Sequence, residues 1–372
     1  MTSKSNFKKS FKMFDPLEYG LKKEFSLLNY AKLRGWCSKV RQEKLNEYLK
    51  DIGDGSIGKE TPDCAVFKVV DCKEDFRQIS SCDFFYPLIE DPYMQGKIAV
   101  ANVLSDIYAM GVTHIDNVLM ILGISSLMTE NEKSVITKQM IKGFNDAVIE
   151  AGTKVTGGQS VINQWPMIGG TAISTIKNEK IVYPNNIRKG DLLVITKPLG
   201  TQVAVNSVEW LQKNPEMLEK LKKIGIGKIE IEDMYSIAVE SMSRLNKKAG
   251  ELMLKYHAHG ATDITGFGLL GHSKNLVEAQ KTKLQFRFKS LPIIRNCDKV
   301  NKEVYDFELY EGKSSETSGG LLVALEKSNA YEYVKEMFDS GEDAWIVGYV
   351  DDLQNDKDSQ VIFEKNLESI FI

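Results

Sequence analysis

Apolar and polar positions change their period along this chain, and the changes mark out strands and helices. Phe67–Asp71 and Asn117–Ile124 (NVLMILGI) carry short apolar runs bounded by polar residues, the pattern of strands. In Thr129–Glu150 the period lengthens: Ile136, Met140, Ile141, Phe144, Ala147 and Val148 recur at helical spacing, and Thr129 with Glu132 can close a capping box at the start. The run Ile98–Met110 (IAVANVLSDIYAM) is apolar on nearly every side when wound as a helix, which predicts a buried one. Asp91 followed by Pro92 supplies its cap and its first position.

Farther on, Thr171–Ile176 reads as a strand, Asn185–Asp191 as a polar turn and Leu192–Ile195 as the start of a new strand. A long helix over Glu232–Tyr256, the glycine-punctuated ATDITGFGLLGH segment and a helix over Asn329–Phe338 follow. Strands are expected at Gly320–Leu325 and Ala344–Val350, and the lysine-rich Lys213–Lys228 reads as a solvated helix with its connecting turn. Mixed α and β order in both halves predicts an α+β protein of two domains. The expected division is a flexible arm over residues 1–24, an N-terminal domain over 25–188 and a C-terminal α+β domain over 189–372.

Composition narrows the class. A chain of 372 residues, 42% hydrophobic and 27% charged, has the size of two globular domains. Its net charge of -3 gives no overall basic field, so no nucleic-acid partner is expected. Five cysteines (Cys37, Cys64, Cys72, Cys82, Cys297) are odd in number and irregular in spacing, which fits a reducing, cytoplasmic compartment better than a disulfide framework. No apolar stretch is long enough to span a bilayer, and the start MTSKSNFKKSFK lacks the apolar core of a secretory signal, so no membrane association is expected.

Within the apolar run stands Asp106, and an ionised carboxylate on a buried helix is costly unless a partner, usually a cation, compensates it. Further carboxylates lie at Asp63 (TPDCAV), Asp83 (CDFFYP) and Asp263 (ATDITGFG), with a glycine-rich turn at Gly157-Gly158 (VTGGQS). Scattered carboxylates plus a phosphate-cradling turn suggest a magnesium–nucleotide site. Taken singly, Asp63 and Asp83 read equally as turn residues or caps, and Asp263 as a residue bonding its own loop. Cys64, Cys72 and Cys82 lack metal-ligand spacing, and His257 and His259 are assigned packing or hydrogen-bonding roles.

The blocks YPLIEDPYMQGKIAVANVLSDIYAMGV, AGTKVTGGQSVINQW, TKPLGTQVAV, ATDITGFGLLGH and ETSGGLL resemble those of the selenophosphate synthetases, or selenide, water dikinases, of the eukaryotic branch. The likeness runs in order from about Phe25 to Val350. It implies the two-domain, aminoimidazole-ribonucleotide-synthetase-like architecture, with a mixed sheet and helices in each domain. The implied reaction takes ATP, selenide and water to selenophosphate, AMP and orthophosphate, in a homodimer with magnesium-bound ATP near the subunit interface. By the same resemblance, Asp63, Asp106 and Asp263 correspond to magnesium ligands. Thr61, Pro62, Asp63, Asp83 and Asp106 line ATP, and Gly157, Gly158, Gln159 and Ser160 are a phosphate-approaching turn that can come from the partner subunit. Lys39 corresponds to a lysine that stabilises charge on the transferred phosphoryl group.

The pattern departs from the family just before that lysine. Active members carry selenocysteine or cysteine three residues ahead of it and often a second cysteine directly before it. This chain reads Leu33-Arg34-Gly35-Trp36-Cys37-Ser38-Lys39-Val40, with Trp36 in the nucleophile position and Ser38 in the second. An indole cannot act as a thiolate or selenolate. Three readings stay open: a UGA selenocysteine codon translated as tryptophan, Cys37 as a displaced nucleophile, or a nucleotide-binding regulatory paralogue that does not process selenide. A purine-biosynthetic type of amide activation is disfavoured by the selenophosphate-type loop and blocks.

Overall fold

The structure is a computed structural model that describes residues 12–35, 40, 44, 47–48, 64–353 and 359–372. In the first half, β1 (Ala65–Lys68) and β2 (Phe76–Phe85) are followed by α1 (Pro92–Ala109), β3 (Asn117–Ser125), α2 (Glu130–Glu150), β4 (Val155–Asn163) and β5 (Met167–Lys177). Their sheet has the order β1-β2-β5-β3-β4, antiparallel throughout except where β3 lies beside β4. The second half contains β6 (Leu192–Ile195), α3 (Thr201–Lys213), α4 (Pro215–Lys223), α5 (Lys228–Ser243), α6 (Lys247–Lys255) and β7 (Gly260–Asp263). It continues through α7 (Gly268–Glu278), β8 (Leu284–Ile293), α8 (Cys297–Glu303), β9 (Leu321–Leu325), α9 (Lys327–Asp339), β10 (Trp345–Asp352) and β11 (Gln360–Phe371). That sheet runs β11-β8-β10-β6-β9-β7, with β11 parallel to β8 and the other pairs antiparallel. Two mixed sheets with helices make an α+β fold.

Helix α1 sits between the halves. Asp91 caps it by accepting from the amides of Tyr93 (2.8 Å) and Met94 (3.1 Å), and Pro92 occupies the first turn, where its missing N–H leaves no bond unmade. One side of α1 packs on α2, where Gly96 and Gly143 let the backbones meet: a Cβ on Gly143 would lie 1.8 Å from the Tyr93 carbonyl oxygen. Other sides pack on β2 and β5 and, across the chain, on α5, α6 and β7. Contact all round is why the helix is apolar all round. From Ile98 to Val112 every residue is buried except Asp106, which is half-buried and not buried as its apolar surroundings predict.

Two further expectations change. The helix expected over Glu232–Tyr256 is broken into α5 and α6, because Arg244 leaves the helical region (φ -74, ψ 132) and brings Asn246 to donate to Ser105 Oγ (3.0 Å) and to the Gly319 carbonyl (2.8 Å). Apolar residues at helical spacing (Val239, Met242, Leu245, Ala249, Leu252) continue across the break, so the sequence pattern does not show it. Gly157-Gly158 is not a turn but part of β4. The glycine is needed there because Gly158 has φ +139 and a Cβ would lie 1.8 Å from the Met120 carbonyl oxygen on β3.

Candidate active site

Strand β2 turns Ser81 and Asp83, two residues apart, to the same face, and α1 presents Asn102 and Asp106, four apart, to meet them. Ser81 Oγ donates to Asp106 Oδ2, and Asn102 Nδ2 donates to Asp83 Oδ2 at 3.0 Å. Two of the expected carboxylates, Asp83 and Asp106, are thereby brought together on facing elements, each half-buried. A half-buried carboxylate keeps access for a cation or a water, which a buried one does not.

Asp263 arrives from the other half. It is 2% exposed and ends β7, opposite Leu321 of β9 and beside Gly319-Gly320, whose Gly320 carbonyl accepts from the Ile264 amide at 3.0 Å. The same glycine segment reaches α1, since Asn246 joins the Gly319 carbonyl to Ser105, the neighbour of Asp106. The Ser318 amide donates to Asn102 Oδ1 at 3.1 Å. The carboxylates of the two halves therefore border one seam between α1, β2, β7 and the Ser314–Gly320 loop.

Among the described residues, no three His, Cys, Asp or Glu side chains stand close enough together to hold a metal ion by themselves. The remaining expected ligand, Asp63, lies outside the described residues, as do Thr61, Pro62, Trp36, Cys37 and Lys39. Hard carboxylate oxygens at a half-exposed position still fit magnesium, which keeps several waters and takes only one or two protein carboxylates alongside substrate phosphates. Gly157, Gly158, Gln159 and Ser160 are not brought to the seam. They lie exposed on β4, three strands from β2 and thus about 14 Å away at about 4.8 Å per strand.

Three residues at the seam escape a reading of the sequence for carboxylates. Asn102 is buried in α1 and makes both bonds described above. Lys197, 1% exposed, donates to the carbonyls of Arg244 (2.6 Å) and Ser318 (2.8 Å); burial, and then the Arg244 charge, hold its ammonium well below the usual lysine range. Glu316, 2% exposed, accepts from the amides of Gly200 (2.7 Å) and Thr201 (3.0 Å) and from Thr201 Oγ1. The available signal was a charged residue inside each of the blocks TKPLG and ETSGG, bounded by apolar strand residues.

Burial pushes the Glu316 carboxyl from 4.5 up to about 7, against the opposing pull of those donors. With the folded value raised, the folded protein holds this proton more tightly than the unfolded chain. The associated stability is complete below pH 4.5 and is lost as pH rises through about 7, a change of ~3 kcal/mol. Glu316→Gln, which cannot titrate, provides the reference: the Tm of the native protein relative to that variant should fall between pH 5 and pH 8. A difference that stays constant over that range contradicts the assignment.

Comparison with known proteins gives a consistent picture. The N-terminal and C-terminal domain models of the AIR synthase related proteins match residues 61–176 and 188–358. The selenide, water dikinase of Trypanosoma brucei brucei is 44% identical over 347 residues, 91% of this chain and 88% of that protein. That of Dictyostelium discoideum is 45% identical over 334 residues (89% and 90%), and human selenide, water dikinase 2 is 40% identical over 377 residues (92% and 84%). Among solved structures, thiamine monophosphate kinase from Aquifex aeolicus aligns with a TM-score of 0.61 at 15% identity, covering 89% of this chain and all of that one. The hydrogenase maturation protein HypE in complex with ATP aligns with a TM-score of 0.59 at 16% identity, covering 91% and 94%. At those identities the likeness is one of fold.

Proposed function

The chain belongs to the selenide, water dikinases, within the AIR synthase related proteins, and from that premise we propose that it converts ATP, selenide and water to selenophosphate, AMP and orthophosphate. The observation that carries the reading is the placing of Asp83 and Asp106 on the facing surfaces of β2 and α1, each bonded to a residue of the other element, with Asp106 the one half-buried position in a run otherwise buried from Ile98 to Val112. Asp63, Asp106 and Asp263 would hold magnesium, which supplies charge neutralisation for the triphosphate. Thr61, Pro62 and Asp83 line the nucleotide, and Lys39 places an ammonium where the transferred phosphoryl group gains charge. Formation of AMP in proportion to added selenide tests the reading; ATP hydrolysis that ends at ADP and ignores selenide contradicts it.

Residue 36 occupies the selenocysteine or cysteine position. Identity of 40–45% over 89–92% of the chain to proteins named selenide, water dikinase favours a UGA codon at this site over a paralogue that has lost the chemistry. Sequencing that codon decides it: any codon other than UGA excludes selenocysteine there.

The enzyme works as a homodimer in this reading, and β4 is the support for it. That strand is an exposed sheet edge with Val161 and Ile162 open at 46% and 68%, and its Gly157–Ser160 segment lies too far from β2 to serve the same chain's carboxylates. A partner's copy would bring it into reach. Ile162→Asp is expected to halve the mass measured by light scattering and to weaken ATP turnover about tenfold or more. Unchanged mass and turnover contradict the arrangement. No helix among the described residues is long and apolar enough to cross a membrane, and a cytoplasmic location is proposed with the irregular free cysteines.

A further inference from the structure

Helix α3 begins at Gly200, which has φ +109 and no side chain with which to cap the helix that follows. The orphan amides of a helix start need acceptors, and here they come from far along the chain: Glu316 takes the Gly200 and Thr201 amides and the Thr201 hydroxyl. The loop is fastened further by Gln202 Oε1, which accepts from the Ser315 amide (2.9 Å) and Ser314 Oγ (3.2 Å), and by the Thr265 carbonyl, which accepts from the Glu316 amide (3.0 Å). Two residues after Glu316 the backbone takes a left-handed turn at Ser318 (φ 47), a conformation that costs a non-glycine residue energy unless its surroundings impose it.

Ser318 is held on both sides. Its carbonyl accepts from buried Lys197 at 2.8 Å, and its amide donates to Asn102 Oδ1 at 3.1 Å. Asn102 is oriented by having its acceptor end used by Ser318 and its donor end used by Asp83 at 3.0 Å. A carboxamide engaged at both ends cannot rotate without breaking both bonds, so its grip on Asp83 depends on where the Ser318 amide is placed. Polar chains of this kind, buried and satisfied, fix geometry across the surfaces they join.

We propose that Glu316 is a positioning residue for Asp83: by capping α3 it sets the Ser314–Gly320 loop so that Ser318, through Asn102, orients that carboxylate toward bound nucleotide. The inference deepens the ATP-site reading given above and rests on it. Glu316 is 2% exposed, and its effect on Asp83 passes from the second half of the chain to the first through the Asn102 side chain.

Calorimetric titration of the full-length protein with magnesium–ATP tests this without reference to selenide. If the native protein does not bind the nucleotide, the ATP-site reading itself fails. If it does, Glu316→Ala is expected to weaken binding about tenfold, and the same change in an Asn102→Ala background to weaken it less than about twofold, since the route to Asp83 is already cut. Equal factors in both backgrounds, or no weakening in the native one, overturn the proposal. Should Glu316→Ala not fold, Thr201→Val decides in its place. A loss of about threefold that vanishes with Asn102→Ala supports the relay, and any other pattern overturns it.

Discussion

Replacing Asp106 with alanine is expected to lower magnesium-dependent ATP turnover by about a thousandfold while the protein stays folded. The asymmetry follows from where the residue lies. Asp106 is half-buried; losing the bond from Ser81 costs about 1 kcal/mol, and removing the carboxylate relieves a partly desolvated charge. Helix α1 keeps its cap at Asp91, its glycine contact with α2 and its packing on β2, β5 and β7. Tm should therefore move by only a few degrees. In the proposed site, by contrast, no neighbouring residue replaces a carboxylate that meets both ATP and metal. Turnover measured over a magnesium series, beside a thermal melt, checks this. Turnover within a factor of a few of the native value removes Asp106 from the site.

The second large effect is expected at position 36. Trp36→Cys restores an ionisable sulfur at the family's nucleophile position and should raise selenide-dependent AMP formation on the order of a thousandfold, the scale on which loss of a nucleophile is felt. Nucleotide binding should change little, because Asp83 and Asp106, the proposed ATP-side residues, are untouched. The same experiment separates the other two readings of the loop. If the Trp36 protein already turns over selenide and Cys37→Ser abolishes this, Cys37 is the nucleophile. If neither Trp36→Cys nor the native chain responds to selenide although ATP is bound, the chain is a nucleotide-binding paralogue.

Much of the fold could be read from local chemistry. The Asp91-Pro92 start of α1 and the Thr129/Glu132 box of α2 both form, since caps are decided by adjacent residues. Strand β6 spans Leu192–Ile195, the residues its apolar run indicates. What the sequence hid depends on distant partners. The α5–α6 break exists because Asn246 is required by Ser105 and Gly319, and no proline or glycine stands at Arg244–Asn246 to announce it. β8 and β11 were not anticipated, and their pairing joins Leu284–Ile293 to the far end of the chain. At the site, the carboxylates were legible because charge in an apolar run is conspicuous. Asn102, Lys197 and Glu316 were not, because their roles arise only when α1, the α3 start and the Ser314–Gly320 loop meet.

The account stands most directly on the products made from ATP. The Trp36→Cys protein, incubated with magnesium, ATP and selenide and followed by phosphorus NMR, should yield AMP, orthophosphate and selenophosphate in equal amounts, with none of this product set when Asp106→Ala is added. ADP and phosphate alone, formed at the same rate with and without selenide, would contradict the assignment of this seam of carboxylates to selenophosphate synthesis.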